Sequence, residues 1–314
     1  MSKSQEVTIK AEFTLSGTIT VPEGVEKMFP AVLIIAGSGA GDRDGNTKQL
    51  KTNMYKLLAE FLTEKGFVTL RYDKRGTHKS AGNVHETGVS DLIDDAASCV
   101  RFLKEQSFVN KEKIFLLGHS EGALLAPAVH EKNPVAGLIL LAGAARPNVE
   151  LLPLQNEMAY AELNQLPGLK GWFIRKLRVT EKLRKKNQKL TAKILSSNKN
   201  TVRVQGVKMN AKWLRETYKY NVCDYLQKIH CPVLAVTGEK DIQVPPEDVE
   251  KVAAYVKGEV EWKIVPGMNH ILRHYPGQHT MLNLIKEYKT VADQPLSQEL
   301  LDTIDHWLRN KTSS

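Results

Sequence analysis

Residues 114–125 read IFLLGHSEGALL. Four apolar residues lead into Gly118, then His119, Ser120, Glu121 and Gly122, then a run of Ala and Leu. A short uninterrupted apolar run bounded by glycine reads as a strand buried on both faces, and the run after Gly122 as the start of a helix. A serine between two glycines at such a junction fits the pattern G-x-S-x-G. The need for glycine there is steric, because the turn is sharp and neighbouring backbone passes close to both flanking positions. The hydroxyl then stands at the edge of the sheet over a helix N-terminus, where developing negative charge is favoured. Ser120 is therefore the candidate nucleophile, and a bare structural turn is the alternative.

On either side the same kind of strand recurs. AVLIIAG (31–37), FVTLRYD (67–73) and AGLILLAG (136–143) are short apolar runs. MYKLLAEFLTEKG (54–66), ending at Gly66, and SDLIDDAASCVRFLKEQ (90–106), with Ser90 as its N-cap, carry helical spacing between them. Strand–helix alternation predicts an α/β protein with a doubly wound, mainly parallel sheet. Ahead of it, residues 7–24 alternate apolar and polar residues around Ser16-Gly17 and predict an antiparallel hairpin. The alternation breaks near Arg146. Residues 146–220 read mostly as helices, with 171–195 the longest periodic piece, and hold 17 Lys+Arg against 5 Glu and no Asp. The net charge of +9 thus resides in one segment. Alternation resumes with CPVLAVTGEKD (231–241), a helix near 246–257, VEWKIVPG (260–267) and a last helix from Ser297. The expected organisation is a core of residues 1–145 and 221–314 interrupted by a basic helical lid, 146–220, lying over the strand ends where such sheets bind ligands.

A serine hydroxyl is a weak nucleophile at neutral pH and needs a base, itself oriented by an acid. In strand–turn–helix sites of this kind the chain order is serine, acid, histidine. Asp241 lies a few residues past one buried strand and His270 just past the next, so both are expected on the rim that carries Ser120. Glu239 is the rival acid. His119 adjoins the serine but reads as a packing residue, and His78, His85, His274 and His279 lack the strand-end position. The developing oxyanion needs two donors. The residue after the nucleophile supplies one, the Glu121 N–H. The glycine-rich loop IIAGSGAGDRDGN (34–46) is expected to supply the other from Ser38, with Gly39 next in line. This loop lacks the G-x-x-x-x-G-K-[ST] order of a phosphate cradle, and Asp42, Arg43 and Asp44 read as a charge cluster that fixes it.

GHSEG, GEKD (238–241), GMNH (267–270), the loop GSGAGDRDGN and RYDKRGTHKS (71–80) together resemble the α/β-hydrolase superfamily over essentially the whole chain. Within it, the chain is similar to bacterial serine carboxylesterases related to dienelactone hydrolases and to the acyl-aminoacyl esterase-peptidase branch. The resemblance implies an α/β-hydrolase fold, with Ser120, Asp241 and His270 as catalytic triad and the Ser38 and Glu121 N–H groups as oxyanion hole. Two features depart from the family pattern. The loop has Ala36-Gly37 where His-Gly is usual, removing a side chain that often braces it. Thr77-His78-Lys79 stands where a second glycine is common.

The expected function is cleavage of short- to medium-chain carboxylic esters. A thioesterase or peptidase on the same triad and a non-catalytic binding module are the alternatives. No metal or cofactor is implied, and the expected partner is a small-molecule ester, with the protein a monomer or homodimer. The three cysteines show no CxxC spacing, no apolar run approaches the ~20 residues of a membrane span, and no nucleic-acid motif is present. The polar opening MSKSQEVTIK has no apolar signal core, so a cytoplasmic location is expected. Trp172, Phe173, Trp213 and Leu214 are the apolar residues of the basic segment expected to shape the pocket.

Overall fold

The structure is a computed structural model describing residues 2–24, 28–204 and 206–312. Its eight-stranded sheet is built from β1 (Lys3–Ile9), β2 (Leu15–Val21), β3 (Phe29–Ile35), β4 (Val68–Tyr72), β5 (Val109–His119), β6 (Gly137–Leu141), β9 (Val233–Gly238) and β10 (Val260–Val265), in the order β1-β2-β4-β3-β5-β6-β9-β10. β4, β3, β5, β6, β9 and β10 run parallel, and β2 pairs antiparallel with both β1 and β4 at one edge. The β1–β2 connection is at residues 10–14, so Ser16 and Gly17 lie inside β2 rather than at the turn. Gly17 serves close approach instead: a Cβ there would stand 3.1 Å from the Arg71 carbonyl oxygen of β4.

Successive residues of the central strands feed two cores. Ile114 and Leu116 of β5 face α2 (Val89–Glu105), α3 (Glu121–Lys132) and α9 (Asp248–Tyr255). Phe115 and Leu117 face α1 (Met54–Glu64), α10 (Leu284–Lys289) and α11 (Gln298–Thr312). This double burial is why the strands read as unbroken apolar runs. Helix α2 is capped by Gly88, whose N–H donates to Asp91 Oδ2. Ser90 lies inside its first turn and donates through N and Oγ to Glu216.

Between β6 and β9 the chain builds α4 (Asn148–Gln165), α5 (Gly168–Lys176), α6 (Val179–Leu195), α7 (Ala211–Lys219) and α8 (Val222–Leu226). A two-stranded hairpin, β7 (Thr201–Val204) with β8 (Val207–Asn210), separates α6 from α7. The 171–195 periodicity is not one helix. It breaks at Leu177 and Arg178, where Arg178 takes φ 49°. Asn210 ties the segment to the core, its Nδ2 donating to the carbonyls of Val84 and Thr87 at 2.7 Å. Among the described residues no helix is long and apolar enough to cross a membrane.

Candidate active site

Ser120 occupies the turn between β5 and α3 with φ 54° and ψ −118°, a strained conformation for a residue with a Cβ. The flanking glycines show why the strain is tolerated. A Cβ on Gly118 would meet the Gly122 carbonyl at 2.3 Å, and one on Gly122 would meet the Ile35 carbonyl at 2.0 Å. Only bare backbone lets β3, β5 and α3 converge there, and the Ser120 N–H is held by the Leu141 carbonyl at 2.9 Å.

Asp241 and His270 come from the loops after β9 and β10. These loops close on each other because Gly238 has no side chain; a Cβ there would lie 2.0 Å from the Met268 carbonyl. His270 Nδ1 donates to Asp241 Oδ2 at 2.7 Å, and His270 Nε2 lies 3.1 Å from Ser120 Oγ, placed to accept its proton. The other oxygen of Asp241 accepts from the N–H groups of Gln243 and Val244 at 2.9 and 3.1 Å. Asp241 and His270 are both buried. The rival Glu239 is turned away, accepting from the Gly267 N–H at 2.8 Å. The His270 loop is pinned by the buried Arg273, whose guanidinium donates to the carbonyls of Ile271, Gln294 and Thr52. Burial pulls that guanidinium down to about 10. A hydroxyl, imidazole and carboxylate linked in this order can activate the oxygen for attack on a carbonyl and return the proton to a leaving group.

The N–H groups of Ser38 and Glu121 donate to no other group among the described residues. The loop that carries Ser38 is braced from three sides. Arg43 pairs with the buried Asp73 at 2.6 Å and Arg71 with Asp44 at 2.6 Å, so the expected charge cluster reaches across to β4 and the loop after it. Tyr55 Oη accepts from the Gly37 N–H at 2.7 Å and donates to His119 Nδ1 at 2.9 Å, while His119 Nε2 donates to the His270 carbonyl at 2.9 Å. Tyr55 on α1 and His119 thus take over the bracing that a His-Gly loop would supply, and they connect it to the His270 loop. Finally, Lys74 Nζ donates to the Gly37 carbonyl at 2.6 Å and pairs with Glu121 Oε2 at 2.7 Å, and Trp213 Nε1 donates to Glu121 Oε1 at 2.8 Å. Nothing in the local pattern marks Lys74 beyond its place in the RYDKRGTHKS stretch.

A cavity of about 120 Å³ opens at Ser120, walled by Leu124, Leu151, Tyr220, Val244 and Trp213. Trp172 and Phe173, expected to face the pocket, do not. They pack edge-on against each other with centroids 4.9 Å apart and are 46% and 52% exposed, on α5. Of the expected aromatics Trp213 alone borders the cavity, and Leu214 does not. Among the described residues no three His, Cys, Asp or Glu side chains cluster as metal ligands.

His119 is a neutral buried group. Burial first, and then the nearby His270, push it from 6.5 down to about 3. The unfolded chain takes up this proton as pH falls below 6.5 and the folded chain does not, so the stabilisation is present above that pH and lost as pH falls towards 3. The expected slope is at most about 1.4 kcal/mol per pH unit. Urea unfolding at pH 7, 6, 5 and 4 should show wild type losing its advantage over His119→Gln with acidity. A pH-independent difference would contradict a neutral His119.

Comparison with known proteins agrees with this architecture. The chain is 27% identical to esterase EstD of Thermotoga maritima over 296 residues, covering 94% of this chain and 65% of that relative's length. Its fold matches Est1E from Butyrivibrio proteoclasticus with a TM-score of 0.61 at 18% identity, covering 98% of this chain and 99% of that one. It matches the α/β hydrolase GrgF from Penicillium sp. sh18 with a TM-score of 0.61 at 17% identity, covering all of both chains. The fold is the α/β-hydrolase fold. With residues 50–274, Ser120, Asp241 and His270 included, matched by the Hydrolase_4 family, described as serine aminopeptidase S33, the chain belongs to that family.

Proposed function

We propose that this protein is a serine hydrolase that cleaves carboxylic esters by two-step acyl transfer. Ser120 attacks the ester carbonyl as His270 takes its proton, and Asp241 holds the imidazole in the required tautomer. The Ser38 and Glu121 N–H groups bind the oxyanion. His270 protonates the departing alcohol, then activates the water that releases the acid. The observation that carries this reading is the unbroken Ser120–His270–Asp241 hydrogen-bond chain beside an apolar cavity. The similarity to EstD supports esters as the substrate class.

The family description names aminopeptidases, whose substrates present an α-ammonium that needs a carboxylate partner. Among the residues bordering the Ser120 cavity the only carboxylate is Glu121, already committed to Lys74 and Trp213. That favours a neutral ester over a peptide N-terminus. Residues 146–220 act in this reading as a lid, supported by Leu151, Trp213 and Tyr220 at the cavity wall.

A fluorophosphonate probe tests the proposal directly. It is expected to label the native protein stoichiometrically, with the adduct on the peptide carrying Ser120. Absence of labelling, or labelling elsewhere, would refute the nucleophile.

A further inference from the structure

A second cavity, about 380 Å³, lies beside the first, on the side of the Ser38 loop. Ser38, Glu121 and Trp213 border both, so the two chambers meet at these residues, where Trp213 donates to Glu121. The polar groups around the larger chamber are turned to one another. Arg75 is paired with Asp95 and Glu12, and Lys74 with Glu121. Thr87 Oγ1 donates to the Asn83 carbonyl, and the Asn210 side chain is spent on Val84, Thr87 and the Trp213 N–H. His85 stands at the exposed rim. What remains for a ligand is apolar surface from Ala40, Val84, Leu92 and the face of Trp213. Buried polar groups already satisfied reward an apolar guest and penalise a charged one.

We propose that this chamber is the acyl subsite, taking an apolar acyl group of medium length or an aryl acyl group. The inference rests on the ester-hydrolase reading and adds the direction in which the substrate lies. The leaving oxygen must sit at His270 Nε2 to be protonated. Gln243 and Val244, from the loop that carries Asp241, border only the small chamber, and no residue of the β9 or β10 loops borders the large one. The substituent that faces away from His270, past the two oxyanion donors, is the acyl chain.

The test fills the chamber from two separate segments of its lining with Val84→Trp and Ala40→Trp, substitutions at a half-buried and an exposed position. With p-nitrophenol as constant leaving group, the kcat/KM ratio of hexanoate to acetate is expected to fall tenfold or more in each variant. With acetate constant, the ratio of 2-naphthyl to phenyl ester is expected to stay within twofold of wild type. An unchanged acyl ratio in a variant whose thermal unfolding matches wild type overturns the subsite. So does a fall in the alcohol ratio in place of the acyl ratio. If one variant does not fold, the other decides. Failure of the underlying reading shows differently: wild type then turns over neither acetate nor hexanoate and takes no fluorophosphonate.

Discussion

Ser120→Ala is expected to lower kcat/KM for p-nitrophenyl acetate by about a millionfold, the scale seen when a serine protease loses its nucleophile. Among the described residues, Ser120 Oγ at 3.1 Å is the hydroxyl in reach of His270 Nε2, and its loss removes the atom proposed to form the acyl-enzyme. A residual rate ~10³-fold above water is expected to survive, because oxyanion donors and the cavity still act on a water-driven reaction. The fold should survive as well. Alanine meets the same backbone strain at φ 54° as serine, and the turn is held by Gly118, Gly122 and the Leu141 carbonyl rather than by the hydroxyl. Steady-state hydrolysis and thermal unfolding of both proteins check this. A variant that keeps more than about a hundredth of the wild-type rate would be incompatible with acyl transfer through Ser120.

Lys74→Met is expected to lower kcat by roughly 10- to 100-fold with little change in KM, below the 10²- to 10³-fold cost of losing an oxyanion donor outright. The reason is the geometry of one peptide. The Gly37 carbonyl and the Ser38 N–H belong to the same plane and point in opposite directions. The Tyr55 hydroxyl holds the preceding N–H, and Lys74 Nζ holds the carbonyl at 2.6 Å. Together they aim the Ser38 N–H at the site. The same ammonium pairs with Glu121, so one cation ties both proposed donors together. Because Lys74 and Glu121 are both largely buried, removing the cation alone strands a carboxylate. The Lys74→Met/Glu121→Gln double variant controls for that charge. A positioning role predicts that affinity for a trifluoromethyl ketone, which mimics the tetrahedral intermediate, falls in parallel with kcat while KM holds. Lower thermal stability with unchanged kcat would leave Lys74 a purely structural residue.

Features written in local pattern are legible in the amino-acid order. Double burial makes β3, β5, β6 and β9 read as apolar runs, and two of those runs, β5 and β9, place Ser120 and Asp241 just past strand ends, while His270 follows the partly exposed β10. Steric need makes Gly118 and Gly122 visible around the serine. The segregation of positive charge marks the segment between β6 and β9 in the amino-acid order itself. Tertiary structure alone decided the rest. The strand order β4-β3-β5 sets Lys74 against Gly37 and Glu121, 37 and 47 residues away, and Tyr55 against His119, 64 residues away. No periodicity encodes such partners, because hydrophobic spacing reports which face of an element is buried and not what covers it. Polar contacts at long separation leave no pattern of their own. The same limit explains the aromatics of the basic segment. Trp172, Phe173 and Trp213 are all aromatics of one segment, yet the first two lie exposed on α5, while the third, beside the Asn210 anchor on the Val84 and Thr87 carbonyls, donates to Glu121.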